Sequence, residues 1–125
     1  MRKLTTAEEE LMQYLWMLNQ ATVNDILEQI PEPKPAYNTV STIIKILEKK
    51  GFVSHITIGK TYHFSPLVSK KEYAKFHFAN FVNDYFNNST LMFASFLIKD
   101  NDLTANEIGD ILKIIQSRRE ESEKE

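Results

Sequence analysis

The chain of 125 residues has 42% hydrophobic and 26% charged side chains, no cysteine, and a formal net charge of -2 at pH 7. That length suffices for one compact domain, or for a small domain with a dimerisation extension. The absence of cysteine excludes disulfide frameworks, thiolate zinc sites and cysteine nucleophiles.

The first predicted helix spans about residues 6–18. Thr5 or Thr6 can cap it, and the consecutive glutamates at 8–10 fill its first turn, where the helix dipole favours negative charge. Consecutive residues point in different directions around a helix. We therefore interpret these glutamates as a solvated first turn.

A second, shorter helix is predicted after residue 22. Thr22 is its cap and Asp25 stands at the third position of the capping pattern. Prolines at 31, 33 and 35 end this helix, because proline lacks an amide hydrogen and disfavours helical geometry in the residue before it. An extended connection therefore leads into the next element.

The third predicted helix, residues 37–50, carries the clearest functional pattern. Its apolar stripe at helical spacing consists of Val40, Ile43, Ile44 and Leu47. Its opposite face consists of Asn38, Ser41, Thr42, Lys45 and Lys49. Short polar side chains can reach base edges in a DNA major groove, and lysines neutralise phosphates. A helix that ends in lysines and a glycine is also common in proteins that bind no DNA, so this helix alone leaves both interpretations open.

Positive charge is concentrated around this helix. Residues 1–33 contain two basic and six acidic side chains, whereas residues 34–60 contain five basic and one acidic. The local patch favours nucleic acid, although the net charge of the whole chain argues weakly against it. A modest patch of this kind suits a dimer that presents two copies of the same surface.

A β-hairpin is predicted next. Two runs rich in β-branched and aromatic residues, 52–58 and 61–65, are joined by Gly59 and Lys60, and glycine supplies the positive φ of a two-residue turn. Three helices followed by a hairpin is the order of a winged helix-turn-helix domain. The predicted fold class is thus mostly α with a small β-hairpin, and Lys60 at the wing tip could contact a phosphate.

The rest of the chain predicts three further helices: one over 70–86, one capped by Ser89, and one opened by a capping box at 104–107. Their apolar side chains are too many for a small domain to cover, which favours a homodimer interface; a ligand pocket between the helices is the alternative. The candidate dimerisation residues are Tyr73, Phe76, Phe78, Phe81, Tyr85, Phe93, Phe96, Leu97, Ile108, Ile111, Leu112 and Ile115. The charged tail at 118–125 is expected to be disordered.

Catalysis finds little support in the sequence, which has no glycine-rich phosphate loop, no nucleophile elbow and no zinc-protease helix. If Gly59 and Lys60 form a two-residue turn, His55 lies opposite Phe64 and His63 opposite Ile56. The two imidazoles then point to opposite faces of the hairpin and cannot readily share a metal. We expect structural histidines, no catalytic residue, no metal and no cofactor.

Several segments follow one another in an order and spacing that are more specific than a general winged helix. They are LTTAE at 4–8, LW at 15–16, TVNDI at 22–26, TVST at 39–42, LEKKG at 47–51, YHFSPLV at 62–68 and LTANEI at 103–108. On these segments the chain resembles the penicillinase-repressor (BlaI/MecI) family of winged-helix transcriptional regulators. The resemblance covers nearly the whole chain.

The resemblance implies a homodimeric repressor on a palindromic double-stranded operator, with the third helix in the major groove. By position, it implies that Thr39, Ser41, Thr42 and Lys45 face the DNA and that Lys60 touches the backbone. It also implies a membrane sensor-protease system as a partner, which releases the repressor by cutting an Asn-Phe bond in the dimerisation region. The nearest counterpart here is Ser95-Phe96, in a register that needs a one-residue gap.

The sequence thus predicts a winged-helix DNA-binding domain at 1–67, a helical dimerisation region at 68–117 and a tail at 118–125. The expected function is that of a repressor, not an enzyme, which binds its operator through the helix at 37–50 and the wing at 59–60. The alternative is a winged-helix protein–protein interaction module without specific DNA binding. No signal-peptide pattern follows Met1, and the longest apolar run, 91–98, is too short to span a bilayer, so we expect a cytoplasmic protein without membrane insertion.

Overall fold

The computed structural model describes residues 1–124 and, apart from 122 and 124, their side chains. Its elements are α1 (Thr6–Leu18), α2 (Val23–Gln29), α3 (Tyr37–Lys49), β1 (Val53–Ile58), β2 (Thr61–Pro66), α4 (Lys70–Phe86), α5 (Thr90–Asp100) and α6 (Ala105–Lys124). The fold is mostly helical with one antiparallel hairpin, as predicted. Two compact units are distinguished, Met1–Phe78 and the chain from Ala79 onward.

The predicted helix starts are confirmed by their caps. Thr5 and Thr22 each form a capping box, in which the side chain of the cap and that of the third helical residue bond each other's backbone amides. The Ser89 hydroxyl accepts the Met92 amide hydrogen at the start of α5. Thr104 and Glu107 bond each other reciprocally at the start of α6. Local hydrogen bonding therefore determines where these helices begin.

The core of the first unit is formed by one face of each of its first three helices together with the base of the hairpin. On α3 the predicted stripe is confirmed, with Val40, Ile44 and Leu47 buried and Ile43 partly buried against them. The remaining large side chains that are fully buried are Met12, Leu15, Ile26, Phe52 and Val53. Burial of these side chains holds α3 by its apolar face and leaves its polar face outward.

The hairpin has the predicted two-residue turn. Gly59 has a φ of +63°, and Ile58 pairs with Thr61 across the turn. At the base of the hairpin, the backbone of Phe64 exchanges two hydrogen bonds with Ala21, at 2.8 and 2.9 Å. This bridge attaches β2 to the segment between α1 and α2, so the base of the wing is fixed to the helical part of the unit.

Tyr73 occupies a different place from the predicted dimer surface. Its side chain is only 3% exposed and belongs to the core of the first unit, where its ring lies 6.0 Å from that of Trp16 and 5.9 Å from that of Phe52. Its hydroxyl accepts the Leu4 amide hydrogen at 3.0 Å. The assignment of Tyr73 to dimerisation is therefore wrong. The sequence missed it because an aromatic side chain on a helix looks the same whether its own chain or a partner covers it.

Residues 68–78 likewise belong to the first unit rather than to the helical region predicted to begin at 68. The Trp16 indole N–H donates to the Val68 carbonyl at 2.8 Å, and Phe76 packs against the core. These contacts attach the start of α4 to the winged-helix unit. The boundary between the two units consequently falls inside α4, after Phe78, and not before the helix.

The second unit contains a cluster of aromatic rings. Phe86 lies 5.5 Å from Phe93 and 5.4 Å from Phe96, and Phe81 lies 6.1 Å from Phe93, measured between ring centroids.

Helix α6 continues through Lys124, so the described part of the charged tail is helical. The prediction that this part is disordered is therefore wrong. Arg119 and Glu123 lie one helical turn apart with a 3.7 Å separation, a pairing that favours helix. Residue 125 lies outside the described residues.

Candidate nucleic-acid interface

The outward face of α3 is polar and exposed. Asn38, Thr42, Lys45 and Lys49 are exposed, and Ser41 is half-buried beside them. An α-helix of 13 residues is about 20 Å long and 10–12 Å wide, which matches a B-DNA major groove about 12 Å wide. The dimensions and chemistry of this face are thus suited to the major groove of DNA.

A concave surface of about 530 Å³, here called the interface groove, joins α3 to the wing. The residues that line it are Thr22, Val23, Asn24, Tyr37, Asn38, Ser41, Lys45, Lys60, Thr61, Tyr62 and Phe64. The structure therefore brings Asn38, Ser41 and Lys45 of α3 together with Lys60 of the wing, whereas the other predicted residues, Thr39, Thr42 and Lys49, do not line this surface.

Sequence reasoning missed four exposed side chains of the interface groove: Asn24, Tyr37, Thr61 and Tyr62. Asn24 belongs to α2, whose polar face carried no pattern of its own, and it reaches the groove only because α2 packs beside α3. Tyr37 and Tyr62 carry hydroxyls suited to phosphate contacts.

Thr39 lies outside the interface groove. It is exposed, but it lines a second depression together with Ile43, Pro33 and Pro35 and does not line the interface groove. The separation follows from helical geometry, because Thr39 is about 100° around the axis from Asn38, on the side away from the wing. Lys49 stands one turn beyond Lys45 on the exposed face and is likewise not a lining residue.

The hydroxyl of Thr42 is oriented by its own helix. Thr42 Oγ1 donates to the Asn38 carbonyl at 2.8 Å, which uses its single hydrogen. Its oxygen lone pairs remain for a donor such as the exocyclic amine of adenine or cytosine, and its methyl group can contact thymine. Thr42 can therefore read a base edge as an acceptor.

The lysines of this region differ in their availability. Lys34 Nζ donates to the Ile30 carbonyl at 2.6 Å and also to the Leu27 carbonyl, at the end of α2. Lys50 Nζ pairs with Glu8 Oε1 at 2.8 Å. Among the described side chains no ion-pair partner is found for Lys45, Lys49 or Lys60, so these three can neutralise phosphates.

The Lys50 pair corrects the interpretation of Glu8 as part of a solvated turn. Glu8 is only 4% exposed, and its carboxylate also accepts the Thr5 amide hydrogen at 2.8 Å. Burial raises the pKa of Glu8, but the Lys50 ammonium and the Thr5 amide and hydroxyl together bring that pKa below its ordinary value of 4.5. The carboxylate of Glu8 is thus a buried, paired group that joins α1 to the end of α3.

The histidines on the hairpin lie as predicted. His55 pairs with Phe64 and His63 with Ile56, so their side chains point to opposite faces. Within residues 1–124, no cluster of three or more His, Asp or Glu side chains could hold a metal ion. No helix in the described part of the chain is both long and apolar enough to cross a membrane.

Comparison with known proteins agrees with this geometry. A family model described as "Penicillinase repressor" matches residues 4–117. The chain belongs to the penicillinase repressor family. Members of this family are DNA-binding transcriptional repressors, so the chain is a winged-helix regulator of transcription and belongs to a family without enzymatic function.

Two relatives illustrate the match. The methicillin resistance regulatory protein MecI of Staphylococcus aureus (strain N315) is 26% identical over 117 residues, covering 93% of this chain and 95% of the relative. The penicillinase repressor of Bacillus licheniformis is 20% identical over 118 residues, covering 94% of this chain and 92% of the relative. These relatives therefore match the chain from end to end at low identity.

Solved structures were also found. One is an organohalide-sensing transcriptional regulator in its ligand-free form, with a TM-score of 0.48 and 17% identity. The match covers 95% of this chain, but the chain spans only 64% of the length of that regulator. Another is a possible transcriptional regulator for arsenical resistance, with a TM-score of 0.45, 18% identity, and coverage of 67% of this chain and 92% of that one.

Proposed function

We propose that the chain is a homodimeric repressor that occupies a palindromic operator, with α3 of each copy in the major groove and the Gly59-Lys60 turn on the adjacent backbone. The observation that carries this proposal is the interface groove, in which polar residues of α3 and Lys60 of the wing line one concave surface. A backbone seated between helix and wing would place both on one half-site.

The residues divide by chemistry. Asn38, Ser41 and Thr42 are short and uncharged, and in this proposal they contact base edges. Lys45, Lys49 and Lys60 contact phosphates, which positions the domain on the duplex without selecting a sequence. Thr39 lies on the side of α3 away from the wing, and in this proposal it contacts the opposite wall of the DNA major groove.

The second copy is supported by the apolar surface of the second unit. Leu91 is 77% exposed, Tyr85 73% and Ile114 68%. Exposed apolar patches of this kind mark interaction sites. In the second unit the proposed dimer surface consists of Phe81, Tyr85, Leu91, Phe93, Phe96, Leu97, Ile108, Ile111, Leu112, Ile114 and Ile115. The proposed dimerisation residues Phe76 and Phe78 belong to the first unit, where Phe76 packs against the core.

Proteolytic release at Ser95-Phe96 is part of the proposal and has a structural condition. The bond lies in the middle of α5, and Ser95 is half-buried. Proteases cut extended chain, so α5 must unwind locally before a sensor-protease can act there. Mass spectrometry of the repressor from cells exposed to a β-lactam tests this step; intact protein accompanied by derepression would contradict it.

Binding to the DNA upstream of the chain's own gene, measured over a salt series, tests the main proposal. Three phosphate-contacting lysines per copy predict a slope of log K against log salt of roughly -2.7 per copy and -5.4 for the dimer. The comparison DNA is a duplex of the same length and composition in scrambled order. Weak binding without salt dependence would refute the proposal and favour the protein–protein interaction module.

Light scattering at micromolar concentration tests the dimer independently of DNA. The expected mass is twice the 14.6 kDa of one chain. A monomer mass under the same buffer conditions that support operator binding would contradict the homodimer.

A further inference from the structure

The outer half of the hairpin, between Phe64 and the turn, is not held by the buried core of the first unit. Beyond the buried base at Phe64 the side chains of the hairpin become exposed, and Ile56, Ile58 and Tyr62 are each about half exposed. A two-stranded hairpin is marginally stable in water without further support. The position of Lys60 at its tip therefore depends on what holds the outer half of the hairpin against α3.

The described side chains provide one polar link between α3 and the hairpin. Glu48, in the last turn of α3, accepts a hydrogen bond from Nδ1 of His55 on β1. The His55 ring in turn stacks on Tyr62 of β2, with centroids 4.3 Å apart and an interplanar angle of 21°. Both rings also contact Phe64, at 5.8 and 6.3 Å, so the stack rests on the buried base of the hairpin.

This chain of contacts ends in the interface groove. Tyr62 lines the groove, and Lys60 at the tip of the wing lies two residues before it. Glu48 is also the only acidic side chain among residues 34–60, and its bond to His55 directs the carboxylate toward the hairpin. The same bond thus links recognition helix to wing and engages the one local charge that would repel a phosphate.

We propose that His55 is a positioning residue that fixes the wing relative to α3, through Glu48 on one side and Tyr62 on the other, and so brings Lys60 to the DNA backbone. This role rests on the proposed operator binding and adds a residue that does not itself contact DNA. It accounts for a half-buried histidine that the sequence assigned only a structural place. It also predicts that removing His55 acts through Lys60.

A double-mutant cycle of His55→Ala and Lys60→Ala on the upstream operator tests this role. One phosphate contact contributes a salt slope of about 0.9 and roughly eightfold in affinity at 0.1 M salt per copy. Lys60→Ala should lower the operator affinity by roughly eightfold per copy and the salt slope by about 0.9. His55→Ala should cause most of both losses. In the His55→Ala background, Lys60→Ala should then cause less than a twofold further loss.

Three further variants separate positioning from other roles. His55→Phe keeps a ring that can stack on Tyr62 but loses the bond to Glu48. Its loss of operator affinity should lie between zero and the loss caused by His55→Ala. Glu48→Gln keeps an acceptor for His55 and should retain the full effect of Lys60→Ala. His63→Ala removes the other hairpin imidazole, on the opposite face, and should leave that effect unchanged.

The outcomes distinguish this inference from the proposed function. Additive losses in the cycle, with Lys60→Ala equally harmful with and without His55, would overturn the positioning role and indicate that His55 contacts the DNA itself or does nothing for the wing. Equal disruption by His63→Ala would also overturn it. A wild-type chain with no salt-dependent operator binding would overturn the proposed function and this inference together.

Discussion

The buried ion pair between Glu8 and Lys50 offers a sharp test of how α1 and α3 are held together. Glu8→Gln removes the charge but keeps an oxygen that can accept the Thr5 amide hydrogen, as Oε1 does now at 2.8 Å. Hydrogen bonds to charged groups contribute about 1.5–3 kcal/mol, and neutral ones about 0.5–1.5 kcal/mol. We therefore expect Glu8→Gln to lower the free energy of unfolding by about 1–2 kcal/mol at pH 7.

The effect should depend on pH in a defined direction. The pKa of Glu8 in the folded chain is lower than its ordinary value of 4.5, so the ionised carboxylate stabilises the fold above that value. This stabilisation is lost as the pH falls through the lowered pKa. The difference between wild type and Glu8→Gln should thus be constant near neutral pH and shrink as the solution is acidified below pH 4.5.

Urea unfolding followed by circular dichroism, at one fixed protein concentration, measures this difference at each pH. Glu10→Gln is the matched control, because it removes an exposed glutamate from the same helix and should change stability by less than about 0.5 kcal/mol. A difference for Glu8→Gln that is absent at pH 7, or that does not diminish in acid, would refute the ion-pair reasoning.

The remaining predictions concern DNA binding, assembly and the core. Thr42→Ala should cost about 1–3 kcal/mol on the cognate operator and less on random DNA, in binding assays. Lys60→Ala should weaken both DNAs alike and reduce the salt slope by about 0.9 per copy. Leu112→Asp should convert the proposed dimer to a monomer, as measured by light scattering, since it places a charge on the proposed apolar surface. Tyr73→Phe should lower the free energy of unfolding by about 1–3 kcal/mol, because the Leu4 amide loses its buried acceptor.

Each of these predictions has a control. Thr42→Ser keeps the hydroxyl and should retain most of the operator affinity; equal losses for Thr42→Ala and Lys60→Ala, with one salt dependence, would contradict their different roles. Asn106→Asp adds the same charge to an exposed polar position of α6, about 120° around the helix axis from Leu112, so a shared loss of the dimer would contradict a specific surface. Tyr85→Phe changes a largely exposed tyrosine and should not affect stability.

The helices and hairpin could be predicted because their signals are local. Thr5, Thr22, Ser89 and Thr104 each cap a helix through bonds that span three residues, and Gly59 supplies a turn conformation that few other residues adopt. These interactions depend on neighbours in the sequence and on nothing else in the fold. The apolar stripe of α3 is equally local, since it follows from helical spacing.

Contacts between distant residues were the part that could not be predicted. Glu8 looked like its two neighbours, and only the return of Lys50 after 42 residues buries and pairs it. Tyr73 looked like the other aromatic residues of α4, yet its hydroxyl bonds Leu4 at a separation of 69 residues. Asn24 and Tyr62 line the interface groove beside α3 only because α2 packs against α3 and β2 pairs with β1. Sequence periodicity shows which face is buried but not which chain or element covers it.

The available charge on one copy is one reason why the proposed operator binding requires a dimer. Lys34 and Lys50 bond groups of their own chain, so of the lysines at 34–60 the proposal assigns Lys45, Lys49 and Lys60 to phosphates. Three such contacts contribute roughly 500-fold in affinity at 0.1 M salt, and six contribute roughly 10⁵-fold. With a net charge of -2 on the whole chain, long-range attraction adds little to this. In the proposed complex a single copy would therefore bind an operator weakly, and the second copy, brought by the proposed apolar dimer surface, would double the number of phosphate contacts.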